Sequence, residues 1–124
     1  MTKYTDGLMH LSEREIGDVI IIDVSGKVTL GEGGDAMLTD KLRSIVQQGK
    51  KKLLLNLADV TYVDSAGLGA IVHAYATVTN QGGKLKLLNV TKRIKDLLSI
   101  TKLLTVFDTF DNEAEGVTSF SAPK

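Results

Sequence analysis

An α/β domain with a mixed, mostly parallel sheet of four to five strands and about four helices is the fold class that this sequence predicts. Three observations lead there. Apolar runs rich in β-branched residues alternate with segments of helical periodicity, at a spacing that implies crossover connections. The run Leu53-Leu54-Leu55-Asn56-Leu57 is almost wholly apolar, as expected of a central strand covered on both faces. The chain has 124 residues and is 43% hydrophobic, enough for one domain, 1–124, and its core.

The elements follow in order. Leu8 to Arg14 reads as a short edge strand. Val19-Ile20-Ile21-Ile22-Asp23-Val24 is a β-branched strand that stops near Gly26, and the two strands can pair as an antiparallel hairpin. Gly31 to Asp35 is a loop. The helix after it carries Leu38, Leu42, Ile45 and Val46 on one face and ends at Gly49. Lys50-Lys51-Lys52 is a basic run expected to be solvated. The strand Leu53 to Leu57 then crosses a short polar loop into a helix from about Ala66. That helix carries Leu68, Ile71, Val72, Tyr75 and Val78 and is stopped by Gly82-Gly83. Leu85 to Leu88 is a further core strand. Thr91 is placed to cap a helix with Ile94, Leu97 and Leu98, and Ile100 as an outlying member. Val106-Phe107 reads as a short strand. Asp111 is placed to cap a last helix with Ala114 and Val117, and 119–124 as a frayed tail.

Composition narrows the function. With 5% aromatics and no Trp, the core must be built mainly from Leu, Ile and Val. Lys plus Arg and Asp plus Glu both total 15, and this balance argues against wrapping a nucleic-acid backbone. The absence of Cys excludes disulfides and thiolate metal sites. No apolar run reaches the roughly 18 residues of a membrane span, and Met1 to Asp6 lack the apolar core of a secretory signal. The expectation is a soluble, cytoplasmic protein with no nucleic-acid partner and no membrane insertion.

The most informative stretch is Val63-Asp64-Ser65-Ala66-Gly67-Leu68-Gly69, which delivers a serine to the start of a helix. Ser and Asp are preferred helix caps, so ordinary capping explains part of the pattern. The positive end of the helix dipole and the first-turn N–H groups also favour an anion there, so a phosphate on Ser65 would be stabilised. Gly67 and Gly69 each cost a helix about 1 kcal/mol relative to Ala. Their small size is expected to leave the Ser65 hydroxyl accessible and to let another surface approach.

Other chemistry fares worse. A nucleophile elbow wants Gly-x-Ser-x-Gly, and Val63 occupies the first Gly position. Ser65 also lacks a base: His73 stands about 12 Å further along the same helix, and nothing supports His10. Gly31-Glu32-Gly33-Gly34-Asp35-Ala36 matches a variant dinucleotide fingerprint. Glu32 and Asp35 would repel a pyrophosphate, however, and the second mononucleotide half is missing. No Walker loop exists and no His/Asp/Glu cluster has ligand spacing, so no cofactor or metal is expected. Asp108, Asp111, Glu113 and Glu115 read as a solvated acidic face. Lys92-Arg93-Lys95 reads as the wet side of its helix.

Asp64-Ser65-Ala66-Gly67-Leu68-Gly69, after Tyr62-Val63 and an apolar strand, closely resembles the signature of STAS domains. More narrowly it is similar to that of bacterial anti-sigma factor antagonists. The likeness extends to Gly26, Leu55-Asn56-Leu57, Gly82-Gly83-Lys84-Leu85, Ile94-Lys95-Asp96-Leu97-Leu98, Leu103-Leu104 and Phe107. The resemblance implies the STAS fold and a partner switch rather than an enzyme. The unmodified protein binds an anti-sigma factor that is also a serine kinase, and the sigma factor is freed. The kinase phosphorylates Ser65, the complex separates, and a PP2C-type phosphatase resets it. Asp64, Ser65, Ala66, Gly67, Leu68 and Gly69, with Thr29, Gly31 and Gly33, are the implied partner-binding residues. The chain departs from many relatives in having Ala66 rather than Ser or Thr, and Thr29 rather than an acid. Ala66 also motivates an alternative, a constitutive STAS adaptor in a lipid-transport, stressosome-like or chemosensory assembly.

Overall fold

Strand β2 (Val19–Val28) buries side chains of both parities, Val19 and Ile21 on one face and Ile20, Ile22 and Val24 on the other. Strand β3 (Lys52–Val63) does the same with Leu54 opposed to Leu53, Leu55 and Leu57. Since successive side chains in a strand alternate faces, both strands must be covered twice. The computed structural model describes residues 9–28 and 34–121, with side chains in the first helix from residue 36 onward.

Around this pair the sheet has the order β1-β2-β3-β4-β5. Strand β1 (His10–Ile16) pairs antiparallel with β2, forming the expected hairpin about Gly17, whose φ is 61°. Strands β4 (Lys84–Leu88) and β5 (Thr109–Phe110) extend the sheet in parallel. Each parallel step is made by a crossover helix: α1 (Gly34–Gln47), α2 (Ser65–Asn80) and α3 (Lys92–Ile100). Each crossover leads to the next strand in the same direction across the sheet, so the right-handed rule for such units puts all three helices on one face, where they bury the larger core. Helix α4 (Glu113–Ser119) returns to the other face and covers Val19, Ile21, Leu54 and Leu88 with Val117 and Phe120. Gly116 lies so close to Leu54 that an added Cβ would sit 3.0 Å from its Cδ2.

Helix α4 covers only part of its face, and beyond it a polar chain takes over. Arg14 reaches across from β1, donating to Asp23 at 2.6 Å and 3.0 Å and to Glu113 at 2.8 Å and 3.2 Å. Asn56 Nδ2 donates to Asp23 Oδ1 at 2.8 Å, and Asn89 Nδ2 to Asn56 Oδ1 at 3.1 Å. The line Glu113–Arg14–Asp23–Asn56–Asn89 thereby ties α4 to β1, β2, β3 and the residue that follows β4. Hydrogen bonds from Arg14, then from Asn56, hold the Asp23 carboxyl below its usual range against the cost of burial. The same carboxylate and Glu113 push the Arg14 pKa up.

The structure differs from the sequence expectations at several points. The stretch after Leu57, expected as a polar loop, continues β3 to Val63. Val60 and Val63 are buried, and β2 runs past Gly26, at φ 91°, to supply the partner. The edge strand starts at His10, and Leu8 lies outside the described residues. Phe107 is buried against Tyr75 (ring centroids 4.9 Å apart) but lies in a turn, and the short strand is Thr109–Phe110. Asn112, not Asp111, caps α4, its side chain accepting from the Glu115 N–H at 3.0 Å. Ser119 closes α4 and Phe120 packs beneath it, so the frayed tail does not begin at 119; residues 122–124 lie outside the described residues. Ile100 is 76% exposed and contributes nothing to the core. The three lysines of the basic run stay at the surface, as expected, and there Lys50 pairs with Glu15, Lys52 with Asp18, and Lys51 with the Gln81 carbonyl.

Because the Asp23 pKa is lower folded than unfolded, its pairing adds stability at neutral pH that is lost as pH falls through the folded-state value. Asp23→Asn should therefore lose about 1 kcal/mol at pH 7. In urea titrations that deficit should close as the pH falls below the ordinary carboxylate range and the wild-type carboxyl is protonated. A deficit that stays constant across this range would contradict the assigned role of Asp23.

Candidate functional site

The site forms where the two longest strands end together. Val28 closes β2, Val63 closes β3, and the two are paired. The chain then leaves the sheet at Asp64, whose φ of −113° and ψ of −175° are extended, and enters α2 at Ser65. Asp64 is the N-cap: Oδ1 accepts the Gly67 N–H at 2.7 Å, and its carbonyl accepts the Leu68 N–H at 2.8 Å. Ser65 is thus the first helical residue, one position later than an N-cap, and its side chain is exposed. First-turn N–H groups lack intrahelical partners, and the Asp64 carboxylate takes that of Gly67.

The glycines divide into two roles. A Cβ on Gly67 would fall 1.7 Å from the Val28 carbonyl oxygen and 3.1 Å from Val63 Cγ2. The first turn of α2 therefore rests on the backbone at the end of β2, and only glycine permits this approach. A Cβ on Gly69 would meet nothing within 4 Å. The expectation that both glycines clear space around the Ser65 hydroxyl does not hold for Gly67, whose neighbours are Val28 and Val63, and a Cβ at Gly69 would not reach Ser65 either. Gly67 is buried and is there for packing.

The expected partner-binding residues separate in the same way. Ser65, Ala66 and Gly69 are exposed and Asp64 is half-buried. Gly67 and Leu68 are buried, Leu68 to 2% exposure, so they position the surface and do not form it. Thr29, Gly31 and Gly33 lie outside the described residues. Two neighbours escaped the sequence reading. Tyr62 is 46% exposed next to the motif. Arg93, assigned to the wet side of α3, bends back so that Nε donates to the Val63 carbonyl at 3.4 Å. The Lys92-Arg93-Lys95 cluster was visible in sequence, but its proximity to Val63 depends on the α3 crossover. Among the described residues, no group of three or more His, Asp or Glu could hold a metal.

Two substitutions separate the glycine roles. Gly67→Ala should destabilise by about 3 kcal/mol, the upper end for overpacking, since the obstacle is backbone. Gly69→Ala should be neutral or stabilise by up to about 1 kcal/mol, as in an open helix interior. Urea denaturation measures both, and equal losses would contradict the packing described.

Comparison with known proteins places this geometry. The STAS domain family model matches residues 10–116. The anti-sigma-B factor antagonist of Bacillus subtilis is 35% identical over 98 residues, spanning 79% of this chain and 87% of that protein. Among solved structures, the Thermotoga maritima protein TM1081 superposes with a TM-score of 0.78 at 20% identity, covering 99% of this chain and 98% of that one. The anti-sigma factor antagonist SpoIIAA in its unphosphorylated form gives 0.74 at 15% identity, covering 93% and 99%. No helix among the described residues is long and apolar enough to cross a membrane. With most of its length matched by the family model and a relative aligned over 87% of its length at 35% identity, the chain belongs to the STAS domain family and, within it, to the anti-sigma factor antagonists.

Proposed function

We propose that residues 1–124 act as one domain that binds an anti-sigma factor and frees the sigma factor, with phosphorylation of Ser65 ending the interaction. The chain is a regulator rather than an enzyme. The observation that carries the reading is the exposed Ser65 side chain one residue beyond an Asp cap, at the rim where β2, β3 and α2 meet. Identity with the Bacillus subtilis protein supports the anti-sigma factor as partner. The same fold occurs in the phosphorylated form of the Bacillus cell fate determinant SpoIIAA, at a TM-score of 0.69, and this is compatible with a phosphorylated state.

The physical chemistry of the switch follows from position. An ATP-dependent serine kinase, in this reading the anti-sigma factor itself, transfers the γ-phosphoryl group to Ser65 Oγ. ADP leaves and the hydroxyl proton is lost. The product carries about −1.5 to −2 charge. In the free protein that charge faces water at the positive end of α2 and is tolerated. In a complex it would be desolvated against a surface shaped for a hydroxyl, with Asp64 alongside. A PP2C-type phosphatase restores the hydroxyl by hydrolysis. Ser65, Ala66 and Gly69 form the exposed part of the docking surface. Thr29, Gly31 and Gly33 complete the set of partner-binding residues in this reading. The reading locates the switch in the cytoplasm, where sigma factors act.

Mixing the purified protein with its anti-sigma factor and ATP tests this. Ser65→Ala should bind within a few-fold of wild type and take up no phosphate. Ser65→Glu should bind at least about tenfold more weakly, equivalent to about 1.4 kcal/mol. Equal binding by Ser65→Glu and wild type in calorimetry would refute the switch. Co-purification with a transporter or scaffold, with Ser65 unmodified in cells, would favour the constitutive adaptor instead.

A further inference from the structure

The chain has three arginines. Arg14 is clamped between Asp23 and Glu113, and Arg43 pairs with Asp40 at 2.9 Å. Arg93 pairs with no carboxylate among the described residues. Its hydrogen bond runs from Nε to the carbonyl of Val63, two residues before Ser65. A guanidinium presents five N–H donors in one plane, so this anchor leaves both terminal nitrogens available to an anion. Val63 and Ser65 are separated by two peptide units, so their Cα atoms lie at most about 7.6 Å apart.

The surroundings of Arg93 are open. With Thr91 it borders a hollow whose other wall is Val60, Thr61, Tyr62 and Val63, the strand that leads into the motif. Two of the charges next in sequence to the motif and to Arg93 are committed. Asp64 holds the Gly67 N–H through Oδ1, and Lys92, next to Arg93 on α3, pairs with Asp96 at 3.3 Å. An uncommitted planar cation held against the backbone that leads into a serine is suited to bidentate pairing with a phosphate.

We propose that Arg93 is the internal counter-ion of a phosphate on Ser65. On modification its guanidinium turns from the Val63 carbonyl towards the phosphate oxygens and holds the modified form in a self-paired state. This rests on the partner-switch reading, and it adds that the phosphorylated protein is stabilised from within as well as repelled from its partner.

The test uses the full chain with phosphoserine inserted at position 65 during translation, so that no kinase is required. Phosphorus NMR follows the second ionisation of the phosphate, ordinarily near pH 6. Pairing with Arg93 stabilises the dianion and lowers that pKa, so Arg93→Gln should raise it by about 0.5. Arg93→Lys, which keeps the charge without the fork, should titrate between the two. Superposition of the Arg93→Gln and parent titrations overturns the proposal. It is also overturned if Arg93→Gln leaves the titration unchanged while weakening binding of the unmodified protein to the anti-sigma factor, which would make Arg93 a partner contact. Failure to find phosphate on Ser65 in cells would count against the partner switch but would leave this titration intact, so the two failures are distinguishable.

Discussion

The approach of Gly67 to the Val28 carbonyl is the constraint on which the functional surface depends. Helix α2 has to start directly above the paired ends of β2 and β3, and any side chain at position 67 would lift it away. With the turn seated, the Asp64 carboxylate reaches the Gly67 N–H and Ser65 becomes the first exposed residue of the helix. The exposure of Ser65 is thus a consequence of packing beneath it. Leu68 and Ile71, buried one turn further on, fix the rotation of α2 about its axis and hence which residues face outward.

In the proposed switch that arrangement gives one hydroxyl two electrostatic environments. In the free protein, water and the helix N-terminus stabilise an added anion. In a docked state the same anion would lose its water and stand beside Asp64. A difference of a few kcal/mol between these environments is enough to move a binding equilibrium through most of its range. The proposed switch therefore needs no large rearrangement of the sheet, whose strands are locked by two apolar layers and by the Glu113–Arg14–Asp23–Asn56–Asn89 chain.

Much of this was legible in the sequence because it follows from local periodicity. The hairpin, the doubly covered β3, the helical crossovers and the Thr91 cap all arise from patterns within a few residues of one another. What was not legible depends on contacts distant in sequence. Val60 and Val63 sit in a stretch that reads as polar loop, and they become strand because β2 extends past Gly26 to pair with them. Phe120 looks like part of a tail until α4 is seen to lay it on Val19, Ile21, Leu54 and Leu88. At the site, the smallness of Gly67 was evident, but its cause, a carbonyl 39 residues earlier, was not. Arg93 likewise read as surface charge, since only the crossover through β4 and α3 returns it to Val63.

The most direct measurement of the central claim compares two forms of the intact protein that differ by a single phosphate. Calorimetric titration of the anti-sigma factor with unmodified chain and with chain carrying genuine phosphoserine at position 65 gives both affinities. The account predicts that the phosphate lowers affinity by at least about tenfold while leaving the thermal unfolding of the free protein nearly unchanged. Indistinguishable affinities for the two forms would contradict it.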